Sequence, residues 1–129
     1  MCKDKIRQFL STGNLGAAKI EIQEIEKKDG YAPALENALD TNSPELLFHA
    51  LKNAKDHLDK NDIPLMIKIL EKDFSMVIHG EDVVAVRRIK NDVSEVLEKI
   101  TNVKRDLDQT GNVINPESFA AKVKQLKSN

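Results

Sequence analysis

The chain has 129 residues and a mass of 14.5 kDa, which is the size of about one domain and excludes two full catalytic domains. Hydrophobic residues make up 40% of it and charged residues 32%, so it can bury a core and is no disordered tail. The 20 Lys and Arg residues against 21 Asp and Glu residues leave a net charge of −1. No global field therefore draws the chain toward nucleic acid or an anionic membrane.

The single cysteine, Cys2, excludes an intramolecular disulfide and the thiolate clusters of zinc modules. The charged start of the sequence is not typical of a classical signal peptide, and no apolar run approaches the length of a membrane span. We therefore expect a cytoplasmic protein without cofactor. Export by a route that does not need a cleavable signal is kept as the alternative. Abundant Lys, Asn and Ile favour an AT-rich, bacterial genome.

Two helices are predicted before residue 30. The first covers about residues 3 to 10 and ends at Thr12-Gly13. Asn14 is a good N-cap for the second, and Gly30 supplies a left-handed stop. The apolar residues between these two signals recur at spacings of three and four, as in an amphipathic helix: Leu15, Ala18, Ile22 and Ile25.

Three further helices are predicted up to residue 78. Pro33 fits the first position of a short helix that ends before Asp40. Ser43-Pro44-Glu45 then supplies a hydroxyl cap, a proline and an acid at the positive end of the helix dipole, and the apolar face continues to Leu58. Pro64 opens a helix that we expect to be the most buried, because its apolar residues surround most of its circumference: Met66, Ile67, Ile69, Leu70, Phe74, Val77 and Ile78.

The strongest periodicity lies in the C-terminal half, and it consists of Val86, Ile89, Val93, Val96, Ile100, Val103 and Leu107. It predicts one long helix from about Glu81 to Gln109, on the order of 40 Å in length. Asn115-Pro116-Glu117 repeats the earlier start signal and opens a last short helix. The predicted fold class is all-α: a compact bundle of six or seven helices with one long C-terminal-half helix, in a single domain of residues 1–129.

The long apolar stripe can pack inside the chain or form a seam between two chains. A parallel homodimer is disfavoured because Lys99 would meet Lys104 of the other chain. Leu97 widens the stripe, as expected for a helix that contacts more than one neighbour. We therefore prefer intramolecular packing and keep an antiparallel homodimer as the alternative.

Histidine is the first residue to consider for catalysis, and His49 lies four residues after Glu45 and seven before Asp56. This spacing places all three, with Lys52, on one side of a helix and opposite its apolar stripe. The preferred interpretation is a solvated surface of interacting charges, and the alternative is a small enzyme or metal site. His57 lies near the edge of the stripe, and His79 precedes Gly80 at a helix end, where it would help to cap carbonyl groups.

The sequence favours a non-catalytic protein–protein interaction module that binds and regulates a partner protein, most simply by inhibiting it. The outer face of the long helix would carry the contacts, since it has mixed charges opposite an apolar stripe. The predicted partner-binding residues are Arg87, Arg88, Asn91, Glu95, Glu98 and Arg105.

The alternative partner is nucleic acid, bound by a cluster of basic residues on the same helix. Arg87, Arg88 and Lys90 form its densest part, and further cations follow at Lys104, Arg105, Lys122, Lys124 and Lys127. Interleaved acidic residues and an aromatic content of 4% argue against this interpretation, because stacking platforms for bases are lacking.

Overall fold

A computed structural model describes the backbone of residues 2–41, 43–74 and 80–128, and side chains within these ranges from residue 4 to residue 126 except at 80 and 81. These residues form seven α-helices and two 3₁₀ turns, so the all-α prediction is confirmed. The helices are α1 (Cys2–Ser11), α2 (Leu15–Asp29), α3 (Tyr31–Leu39), α4 (Pro44–Ala54), α5 (Ile63–Glu71), α6 (Gly80–Thr101) and α7 (Pro116–Ser128), and the turns are Lys55–His57 and Lys60–Asp62.

The chain divides into two compact units, unit 1 (Met1–His57) and unit 2 (Leu58–Asn129). In unit 1, consecutive helices pack against one another and α4 also returns to contact α2. Their apolar stripes meet in one core, which leaves the side chains of its largest members almost without solvent contact: Ile6, Ile22, Leu35, Leu46, Leu47 and Leu51.

Local cap signals position the helices of unit 1. The Asn14 side-chain oxygen accepts a hydrogen bond from the Ala17 amide at 3.1 Å, and Gly30 ends α2 with a φ of 103°. The Ser43 hydroxyl accepts from the Leu46 amide at 3.3 Å, and Pro44 occupies the first turn of α4. One start was misplaced: α3 begins at Tyr31, so Pro33 is its third residue.

Unit 2 contains α5, α6 and α7, which pack pairwise. Met66, Ile69 and Leu70 of α5 are fully buried. This helix is shorter than predicted: Phe74 lies beyond its end at Glu71, and the predicted members Val77 and Ile78 lie outside the described residues, as does His79. The predicted fourth helix was also too long, since α4 ends at Ala54, before Leu58.

The predicted long helix ends early, and this corrects its length. α6 spans 22 residues and stops at Thr101, because Asn102 adopts a left-handed φ of 63°. The Thr101 hydroxyl donates to the Leu97 carbonyl at 2.6 Å and accepts from the Val103 amide at 3.2 Å, which completes the helix end. The apolar spacing beyond Thr101 thus belongs to a different backbone conformation.

The central part of the apolar stripe packs inside unit 2. Ile89, Val93 and Leu97 are fully buried, and α6 contacts both α5 and α7. The prediction of intramolecular packing is therefore confirmed for these residues, and the antiparallel homodimer stays a prediction. Among the helices that the structure describes, we find none whose length and apolar character would let it cross a bilayer.

Candidate protein-interaction surface

Residues 102–115, here called the return segment, fold back after α6. Leu107 and Val113 form an isolated antiparallel bridge, and the Ile114 amide donates to the Asp106 carbonyl at 2.8 Å. At the tip, one Asp108 oxygen accepts from the Thr110 hydroxyl at 2.7 Å and from the Asn112 amide at 3.0 Å. These bonds, the Thr110 hydroxyl first among them, hold the pKa of Asp108 below its ordinary value.

Asn91 fastens the return segment to α6. Its amide nitrogen donates to the side-chain oxygen of Asn112 at 2.8 Å, and its own side-chain oxygen accepts from the Val113 amide at 2.8 Å. Both halves of this side chain are therefore used within unit 2.

Arg105 forms a second attachment, further along α6. Its Nη1 donates to the Asn91 carbonyl and to the Ser94 hydroxyl, each at 2.9 Å, and only 11% of its side chain is exposed. The Arg105 backbone amide donates to Glu98 Oε2 at 2.9 Å, and its Nε lies 3.8 Å from Glu98 Oε1. A charged residue that the periodicity placed on an outer helix face is thus folded inward over α6.

The predicted contact surface therefore needs correction in its geometry. Arg105 is not part of the helix, and Asn91 and Glu98 face the return segment rather than open solvent. Glu95 contacts both the helix and the return segment, since it forms ion pairs with Lys99 of α6 at 3.6 Å and with Arg105 at 3.9 Å. Sequence spacing could not show this, because the covering residues come from a segment that was predicted to be helix.

Arg87 and Arg88 remain exposed, on the part of α6 that precedes the attached region. Val83 and Val84 lie one turn earlier and are 42% and 44% exposed. Because residues four apart are neighbours on a helix, each valine lies next to one arginine. We call these four residues the α6 patch.

Sequence reasoning missed the two valines of the α6 patch. The apolar periodicity starts at Val86 and assigns no role to the valines before it. The signal that could have identified them is the adjacent pair Val83-Val84, followed by two arginines. Consecutive residues of a helix point in different directions, so a single buried stripe seldom includes both members of such a pair together with Val86.

A cavity of about 300 Å³ adjoins the α6 patch, and Val83 belongs to its wall. Phe74 and Val86 contribute further apolar surface, while Asp73 and Glu117 are among the polar residues that line it. The cavity is large enough to receive one apolar side chain of a bound protein.

Lys90, predicted as part of the basic cluster, is buried instead, with 8% of its surface exposed. Its ammonium group donates to the backbone carbonyls of Ile69, Leu70 and Lys72 and lies 5.3 Å from the centre of the Phe74 ring. Burial lowers its pKa, and the group serves to cap the C-terminal end of α5. Lys90 is thus not available to a phosphate group.

The residues predicted to form a charged face around His49 do not all lie on one helix. Asp56 lies in the 3₁₀ turn after α4, so it does not share a helix face with Glu45 and His49. His49 Nε2 is inaccessible to water, and its nearby charges include Lys19 and Glu26 of α2. Within the residues whose side chains are described, no group of three potential metal ligands occurs.

Comparison with known proteins gave no relative: no family model, no curated protein and no solved structure matches this chain.

Proposed function

We propose that this protein is a non-catalytic interaction module that binds another protein through the α6 patch and regulates it, most simply by covering a site on that partner. The observation that carries the proposal is the exposure of Val83 and Val84 beside two exposed arginines. An apolar pair bordered by cations at the surface of a helix is typical of protein interfaces, where arginine is enriched.

The α6 patch lies on a helix that is fixed by its neighbours, and such a rigid surface is suited to binding another protein rather than to catalysis. On the buried side of α6, Ile89 and Val93 pack within unit 2. Further along the helix, Asn91 and Arg105 fix the return segment. A surface presented by a helix with such support loses little conformational entropy when a partner binds.

The chemistry of the α6 patch favours a partner segment that combines apolar and acidic side chains. One apolar side chain would enter the cavity beside Val83, and a carboxylate would pair with Arg87 or Arg88. This is the pattern of an amphipathic helix laid against a helix surface.

The test is affinity capture from a lysate of the source organism after nuclease treatment, with identification by mass spectrometry. We expect a protein that the wild type retains to be lost with the double variant Arg87→Glu, Arg88→Glu, because two attractive charges become repulsive. Lys104→Glu is the control, since it makes the same change of sign at an exposed residue outside the α6 patch.

Undiminished capture of every partner by the double variant would refute the proposal. Salt-dependent retention on DNA that the same double variant abolishes would instead assign the α6 patch to phosphate binding.

A further inference from the structure

Two buried polar side-chain atoms of unit 1 have no hydrogen-bond partner among the described residues. They are Nε2 of His49, on α4, and Oε2 of Glu26, on α2, and neither is accessible to water. Buried polar atoms are paired in most proteins, so an unpaired imidazole nitrogen and an unpaired carboxylate oxygen on two helices that contact each other are unusual.

Burial is the main effect that opposes the protonation of His49, and nearby charges modify it. Among the described residues, those that act on it are Lys19 and Glu26 of α2 and Lys52 of α4, and none comes from α3 or from the turn after α4. The two ammonium groups disfavour an imidazolium ion and the one carboxylate favours it. Burial is the largest effect, and together they place the pKa of His49 below its ordinary value of 6.5.

We propose that His49 is an acid-sensitive element of unit 1, in which protonation of the imidazole ring loosens the packing of α4 against α2. At neutral pH the uncharged ring is tolerated in its partly buried position. Adding a proton places a positive charge on a partly buried ring whose Nε2 water does not reach, and Lys19 and Lys52 repel that charge while Glu26 attracts it.

The direction of the pH effect follows from linkage. Because the folded state binds the proton less readily than the unfolded chain, the unfolded chain takes up the proton first as the pH falls through about 6.5. The contribution of His49 to stability is therefore complete above that pH and decreases as the pH falls toward the pKa of the folded state.

The experiment compares urea denaturation of the full chain at about pH 7.5 and about pH 5.0. We expect the denaturation midpoint of the wild type to fall more on acidification than that of His49→Asn, which keeps a polar side chain without a titrating group. His57→Asn is the control, because the His57 ring is exposed and stacks on Tyr31 at 4.1 Å. It should retain the wild-type fall.

Carboxylates that titrate in the same pH range affect the wild type and His49→Asn alike, so their contribution cancels when the two proteins are compared. An equal fall of the midpoint in both proteins would overturn the proposal. If His49→Asn does not fold, an NMR titration of the wild-type His49 ring decides: a midpoint below about 6.5 supports the proposal, and one at or above that value overturns it.

Discussion

Arg105 shows how a single side chain can change the use of a whole surface. Its guanidinium bonds to Asn91 and Ser94 replace the solvent that the helical spacing predicts around it. An arginine is suited to this position because its several fixed donors can bind a carbonyl and a hydroxyl at once. The residue therefore stabilises the return segment.

Replacing Arg105 by Met tests this role, since Met keeps much of the aliphatic stem and removes the donors. We expect Arg105→Met to lower the free energy of unfolding by about 2 kcal/mol, as is typical for hydrogen bonds made by a charged group. Urea denaturation measures the change.

Arg87→Met is the matched control, because Arg87 is exposed, and it should change stability by less than about 0.5 kcal/mol. Equal midpoints for Arg105→Met and the wild type would show that the bonds of Arg105 contribute nothing to the stability of unit 2.

At the scale of elements, the end of α6 depends on a backbone conformation. Asn102 has a φ of 63°, a region that Asn and Gly adopt at little cost and that a β-branched residue avoids. This one residue turns the chain away from the helix axis and starts the return segment. The position of the surface that α6 leaves open follows from it.

Asn102→Val should therefore destabilise the protein by about 1–2 kcal/mol, the usual cost of a left-handed conformation for a residue that resists it. Asn102→Gly provides the control, because glycine accepts this φ and should leave stability close to that of the wild type. Thermal or urea denaturation of the three proteins gives the comparison. A stable Asn102→Val variant would mean that α6 can continue past Thr101.

How well a feature can be predicted from the sequence depends on how far apart along the chain the residues that determine it lie. The caps at Asn14 and Ser43 were predictable because each depends on a few adjacent residues. The end of α6 was not, since the apolar spacing continues through Val103 and Leu107 while a single Asn carries the turn. Contacts such as that of Arg105 with Asn91 join residues 14 positions apart, and the apolar periodicity of a helix cannot predict them.

At the scale of the whole molecule, the two units carry different features. Unit 2 carries the α6 patch, the cavity beside it and the return segment that is attached to α6 at Asn91. Unit 1 carries His49 and Glu26, each with one buried polar atom that lacks a hydrogen-bond partner. Of the predicted contact residues, Arg87 and Arg88 stay exposed, at the start of α6 beside the exposed Val83 and Val84.

The most direct measurement of the interaction surface is amide hydrogen exchange of the full chain, alone and with the captured partner bound. We expect the partner to slow exchange in α6 around residues 83–88, because a docked protein excludes water from the α6 patch and reduces local opening of that helix. Peptides of unit 1 should exchange at the same rate in both samples. Slowed exchange in unit 1 with no change at residues 83–88 would contradict the assignment of the partner to the α6 patch.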